Sequence, residues 1–308
     1  MNAIYLETAR VLVQVAPIVF QRGEFALKGG TAINFFLRDM PRLSVDLDLV
    51  LPDHTLSREQ ALLRIRGALE ESAAKLRAQG FNVKLASTDQ ATETKIFARR
   101  GGIEIKVEVN LVLRGVVHPV TSRSLVPRAQ DTLRAEIEVP VASLEDVYAG
   151  KLVAAMDRQH PRDLYDVMQL YEHEGITPAI RHAFVIYLAS HHRPIHEVLA
   201  PAQRDLSLDY HRAFSGMTAE VIALEQLQEV RERMISDLQR GLDEDEREFL
   251  LSLANAAPEW DRLDIAHAAE LPALRWKLRN LEQLSRQNPK KFQAQIRSLE
   301  ALLERGAG

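Results

Sequence analysis

Two aspartates set two residues apart, in the run Arg42-Leu43-Ser44-Val45-Asp46-Leu47-Asp48, are the residues in this sequence whose spacing most directly suggests chemistry. On a strand, alternate residues share a face, so both carboxylates project together while Leu47 and Leu49 take the other side. Like charges this close repel unless a cation lies between them, and hard oxygen ligands suit Mg²⁺ or Mn²⁺. On a solvated strand face the same pair would have no function, so other groups must join it. Upstream stands Lys28-Gly29-Gly30-Thr31. Paired glycines between a strand and a helix let backbone amides approach a phosphate, and Thr31 adds a hydroxyl, although Gly-Gly is also ordinary turn chemistry. Downstream, residues 103–113 alternate, with Ile103, Ile105, Val107, Val109 and Leu111 on one face and Glu104, Lys106, Glu108 and Asn110 on the other. A carboxylate from this second strand would complete the cradle of a metal-dependent phosphoryl or nucleotidyl transfer site. Glu108 is the candidate and Glu104 its competitor on the same face. Either could instead form a salt bridge with Lys106 or Lys95.

A later cluster has the residue types for handling phosphate. Lys151 and Arg158 lie seven apart on an expected helix, two turns along one face, so both could meet a polyphosphate. Lysine acts there as a point charge and arginine as a bidentate donor. Asp163 and Asp166 lie one turn apart near the start of the next helix. Asp166 reads as a partner of the helix dipole and Asp163 as the functional carboxylate. Other features read plainly: His160 as a loop residue before Pro161, His191-His192 as a helix end, and Trp260 and Trp276 as packing between helices. No histidine spacing suggests zinc, and with no cysteine in the chain, disulfides, thiolate metal sites and cysteine nucleophiles are excluded.

The elements that must position these residues follow from the pattern. Residues 4–20 read as an amphipathic helix broken near Gly23, and residues 25–27 as a short strand leading through the glycines into a helix over 31–38. Residues 45–51 form a strand and 57–79 a long helix ending at Gly80. Residues 94–98 and 103–113 form a hairpin around Gly101-Gly102. A connector over 116–140 leads to Ser143-Leu144-Glu145-Asp146, a capping-box-like helix start, and helices with polar loops fill the chain from about 176 onward. A chain of 308 residues with 46% hydrophobic and 27% charged residues should fold on its own, as two domains or one with a large extension. The division expected is 1–175, a small mixed and largely antiparallel sheet with flanking helices (an α+β fold), and 176–308, a helical C-terminal domain. The net charge is −4, with no strongly basic half to announce nucleic acid. The first residues lack a basic n-region, and no stretch is read as long and apolar enough to span a membrane, so a cytoplasmic location is expected.

Gly-Gly-Thr, then Asp-x-Asp about fifteen residues later, then a strand carboxylate, resembles the polymerase-β-like nucleotidyltransferase superfamily. More specifically, residues 27–32 and 42–49, the segment from Lys151 to Asp166, and Pro272-Ala-Leu-Arg-Trp-Lys277 with Asn280-Leu281 resemble the AbiEii/AbiGii-type toxin family of nucleotidyltransferases. The resemblance implies a nucleotidyltransferase-like sheet with a helical tail. It implies Gly29, Gly30 and Thr31, with Lys28, at the triphosphate; Asp46 and Asp48 as the metal pair, with Arg42 and Ser44 beside them; and Lys151 and Asp163 in the later lysine and aspartate motifs. Glu108 falls on the expected strand. It further implies transfer of NMP from an NTP to RNA with Mg²⁺ or Mn²⁺, the tRNA 3′ end as acceptor, and a separately encoded antitoxin protein as partner. Two other readings stay open from the residues alone: the same chemistry on a small-molecule acceptor, and a catalytically silent nucleotide- or partner-binding protein.

Overall fold

The computed structural model describes residues 2–87 and 93–306. By internal contacts the chain forms two compact units, Met1–Val147 with Ser215–Val221, and Tyr148–Phe214 with Ile222–Gly308. The helices between residues 148 and 175, assigned from sequence to the first domain, belong to the second unit.

The first unit is built on one seven-stranded sheet: β1 (Ala26–Lys28), β2 (Asp46–Val50), β3 (Asn82–Ser87), β4 (Glu93–Arg100), β5 (Ile103–Asn110), β6 (Thr121–Ser124) and β7 (Glu138–Val141). The strand order is β3-β4-β5-β2-β1-β7-β6. Only β2/β5 and β1/β7 run parallel, so the sheet is mixed and largely antiparallel, as the pattern implies. Alternation decides its two faces. Leu47, Leu49, Ile105, Val107 and Val109 are fully buried, each contributing about 1.5–3 kcal/mol, and their alternates carry the charged groups. Two helices pack on this sheet, α1 (Ala3–Phe20) on β2, β5 and β7 and α3 (Arg58–Ala78) on β3 and β4. Helix α3 starts at a capping box of Ser57 and Gln60 and stops before Gly80, whose φ of +85° suits glycine.

Three features depart from the sequence reading. Helix α1 has 18 residues with a mean hydropathy of 1.5, so by length and composition it could cross a membrane, contrary to the expectation that none could. In the fold it is a core helix, with Leu12, Val15, Ala16 and Val19 buried in the first unit. The segment after the glycine turn is α2 (Gly29–Ala32) followed by a π-helical turn over Ile33–Leu37 rather than one regular helix. The connector carries β6, α4 (Pro127–Leu133) and β7. The β6 sequence Thr-Ser-Arg-Ser is exposed throughout and has no apolar alternation to read, whereas β7 does alternate, with Val139 and Val141 buried, but carries Pro140, a residue that argues against a strand in sequence.

Helix α5 (Leu144–Arg158) leads into the second unit, which is helical: α6 (Pro161–Glu172), α7 (Pro178–Ala189), α8 (Ile195–Leu199), α9 (Ser207–Asp209), α10 (Leu224–Gly241), α11 (Glu244–Ala254), α12 (Pro272–Gln287) and α13 (Pro289–Gly306). His160 caps α6, its Nδ1 accepting from Arg162 N at 3.1 Å, so it does more than fill a loop. Trp260 packs 5.7 Å from Phe249, as expected of a packing tryptophan. Trp276 does not: it is 51% exposed.

Candidate active site

The glycine turn and β2 are built against each other. Gly29 has φ +71°, and a Cβ there would overlap the Asp48 carboxylate. At Gly30 a Cβ would come within 2.7 Å of Arg42 Nη2 and 3.3 Å of Ser44 Oγ. The two glycines therefore allow a carboxylate and a guanidinium to lie directly against the backbone. Thr31 is buried, its Oγ1 donating to the Asp46 carbonyl at 2.5 Å and lying 2.8 Å from Ser44 Oγ. The Thr31 hydroxyl, read from sequence as an offering to phosphate, instead holds the turn to the start of β2. Arg42 and Ser44 are buried too, with Arg42 Nη1 donating to the Leu43 carbonyl at 2.8 Å. The returning segment fixes this stretch from the other side, through Leu43 N to Met217 O at 2.9 Å and a bridge between Arg42 and Thr218.

Register brings the charged groups together. In β1/β2, Lys28 stands opposite Asp48; in β2/β5, Asp46 stands opposite Lys106 and Asp48 opposite Glu108; in β4/β5, Lys95 stands opposite Glu108. Residues paired this way share a face with Cβ atoms about 5 Å apart. Three carboxylates and three lysines thus occupy one patch, all of them partly exposed. Lys106 Nζ lies 3.1 Å and Lys95 Nζ 3.3 Å from Glu108 Oε2. Burial alone would raise the Glu108 pKa, but the Lys106 hydrogen bond and the charges of Lys106 and Lys95 outweigh it and hold the carboxyl below its usual range. Burial would likewise lower Lys106, but Asp46, Glu108 and Asp48 together raise it. Lys28 forms no ion pair among the described residues.

Register separates Glu104 from Glu108. Glu104 stands opposite Arg99, which it binds at 2.5 Å, and lies two residues before the partner of Asp46. Only Glu108 is in register with the aspartate pair. Three hard carboxylates suit a divalent ion, and Asp46 and Asp48, alternate residues of one strand, could hold it together. Glu108 fits as a third ligand once its lysines turn away.

In the second unit, Lys151, Arg158, Asp163 and Asp166 converge, although not as a pair of cations facing a polyphosphate. Lys151 Nζ binds Asp163 at 2.7 Å and Asp166 at 2.9 Å, and Arg158 binds both Asp163 oxygens at 2.6 and 3.0 Å. Burial would raise Asp163, yet Lys151 and Arg158 dominate and hold its carboxyl well below the usual range. Asp166 is fully buried beyond the first turn of α6, so it is a partner of Lys151 rather than a dipole cap. Arg158 alone in this group keeps a largely exposed side chain, at 60%. Also in this unit, His182, Asp243 and Glu246 bring possible metal-ligand atoms within 4.8 Å of one another; sequence spacing missed them because they come from two separate helices. Arg181 already binds Asp243 and Glu246 at 2.9 and 2.7 Å.

Comparison with known proteins fits this geometry. The structure is similar to that of MenT4, a nucleotidyltransferase toxin from Mycobacterium tuberculosis H37Rv, with a TM-score of 0.59 and 19% identity, covering 91% of this chain and 94% of that one. Among curated proteins, none matches the sequence. The family model for the nucleotidyl transferase AbiEii toxin of type IV toxin–antitoxin systems matches residues 10–280, a span that includes the glycine turn, the aspartate pair and the Lys151 cluster. The chain belongs to the AbiEii family of nucleotidyltransferase toxins.

Proposed function

We propose that this nucleotidyltransferase transfers a nucleoside monophosphate from an NTP to RNA, with the tRNA 3′ end as acceptor, and releases pyrophosphate. The observation that supports this best is the register row Lys28–Asp48–Glu108, with Asp46 and Lys106 beside it, on a face bordered by the glycine turn. Asp46 and Asp48, joined by Glu108, would hold Mg²⁺ or Mn²⁺, which when bound helps activate the attacking hydroxyl and neutralise the triphosphate. Gly29 and Gly30 let the Asp48 carboxylate and the Arg42 guanidinium lie against the turn at which the triphosphate would bind, and Lys28 supplies an uncommitted ammonium to its oxygens. Thr31, Ser44 and Arg42 keep the turn in shape. Lys106 neutralises the carboxylates while the substrate is absent and yields to it on binding. Lys151 and Asp163 retain the catalytic assignment of the family motifs, and Arg158 is the member of that cluster with surface to offer a nucleotide. Functionally, residues 1–175 form the catalytic domain and 176–308 the helical C-terminal domain. The partners are the NTP, the RNA acceptor and a separately encoded antitoxin protein, and the site of action is the cytoplasm.

The test is transfer from each of the four α-labelled NTPs onto total RNA with Mg²⁺, comparing wild type with Asp46→Ala/Asp48→Ala. Labelling of a tRNA-sized band that needs the metal and is lost in the variant is the expected result. No labelling of RNA by folded wild-type protein with any NTP would overturn the acceptor assignment.

A further inference from the structure

The charge of this chain is segregated. Residues 272–306 carry eight Lys and Arg against three Glu, although the whole chain is at −4. Much of this charge falls on one face of α12. Ala273, Leu274, Lys277 and Leu281 are buried, and Lys277 Nζ fixes the helix by donating to the carbonyls of His191 and Arg193 at 2.8 and 2.6 Å. At 100° per residue, Arg275, Arg279 and Arg286 form a row along the opposite side, and Trp276 lies beside it on the same exposed face. The row extends about 16 Å at 1.5 Å per residue. Arg275 Nε donates to the Ala269 carbonyl at 3.0 Å, and none of the three arginines meets a carboxylate among the described residues. At the start of α13, Lys290 and Lys291 add two more exposed cations that form no ion pair among the described residues.

A half-exposed tryptophan beside three arginines that outnumber the one carboxylate of their face, Glu282, and form no ion pair among the described residues is poorly explained as packing. It combines the two elements of single-strand recognition: an electrostatic rail for phosphates and a π-face on which an unpaired base can stack. We infer that the exposed face of α12, formed by Arg275, Trp276, Arg279 and Arg286, binds the sugar-phosphate backbone and an unpaired base of RNA. This rests on the proposed RNA acceptor, and all four residues belong to the second unit.

The full-length protein, without NTP or added metal, is titrated against deacylated tRNA over a series of salt concentrations, with fluorescence anisotropy as the readout. The Arg275→Gln/Arg279→Gln/Arg286→Gln variant is expected to bind at least roughly tenfold more weakly, with the log–log salt slope flatter by about 2, since each lost phosphate contact removes about 0.7. Trp276→Ala is expected to bind about tenfold more weakly with an unchanged slope, the mark of lost stacking. All the substituted residues are exposed, and unchanged circular dichroism shows that the variants fold. In the transfer assay both variants raise KM for tRNA and keep kcat. Wild-type binding and slope in both variants, or loss of binding to an acidic protein but not to tRNA, overturns the inference. The two readings fail separately. RNA labelling with unaffected binding in the variants removes this inference alone, and face-dependent tRNA binding without labelling removes the acceptor assignment alone.

Discussion

Replacing Lys151 with methionine removes one ammonium from a group in which the side chains of Lys151, Asp163 and Asp166 are 6%, 3% and 0% exposed. Asp163 keeps its two bonds from Arg158, so the larger loss falls on Asp166, whose 2.9 Å ion pair with Lys151 is broken. Breaking a buried pair by removing one partner costs about 3–5 kcal/mol, a large share of an ordinary folding free energy of about 5–15 kcal/mol. Urea denaturation followed by tryptophan fluorescence is suited to the measurement, because Trp260 and Trp276 both belong to the second unit, as does the cluster. The expected result is a loss of about 3–5 kcal/mol for Lys151→Met, of which adding Asp166→Asn recovers about 2, since it removes the buried charge that Lys151 balanced. A variant that denatures within about 1 kcal/mol of wild type would refute the argument that Lys151 is the counter-charge of Asp166. The comparison also makes activity data interpretable: a stable double variant that remains inactive assigns Lys151 a role in the reaction beyond holding α5 to α6.

Gly29→Ala should cost about 1–2 kcal/mol for its left-handed backbone alone and should displace Asp48; thermal unfolding reads the first effect and NTP turnover the second. Glu108→Gln should lower transfer about 100-fold, whereas Glu104→Gln, which alters only an exposed pair with Arg99, should change it less than about twofold in a steady-state assay. Burial, which outweighs the pull of Asp157, pushes His191 down to about 4, and burial also lowers His160. Because the unfolded chain binds these protons first, their contribution is full above pH 6.5 and is lost as pH falls below it, for His191 down to about 4. For His191 the loss is on the order of 2 kcal/mol after allowance for solvent screening; urea midpoints measured between pH 7 and 4.5 check it, and an unchanged midpoint would contradict it.

The period-2 alternation in residues 45–51 and 103–113 was readable because one face had to be apolar, and that alone put Asp46 with Asp48 and Glu108 on the polar face. It could not separate Glu104 from Glu108, since both satisfy the same alternation; the parallel register of β2 with β5 is what sets Glu108 opposite Asp48. Strand β6 left no comparable signal, being exposed throughout, and in β7 Pro140 obscured the alternation of Val139 and Val141. Trp276 was misassigned to packing because composition and spacing do not say which side of an amphipathic helix a large residue takes.

By itself the amino-acid sequence determined the motif order, the strand–glycine turn–helix entry, the two-faced strands and the family, all of which are properties of neighbours along the chain. Tertiary structure alone decided that Thr31, Ser44 and Arg42 are buried beneath the turn, that Lys106 and Lys95 neutralise Glu108, and that Lys151 and Arg158 are committed to Asp163. Those outcomes depend on which distant groups share a face and how much water remains between them. Whether a charge is a ligand, a partner or a support is settled by that arrangement, which residue type and spacing do not encode.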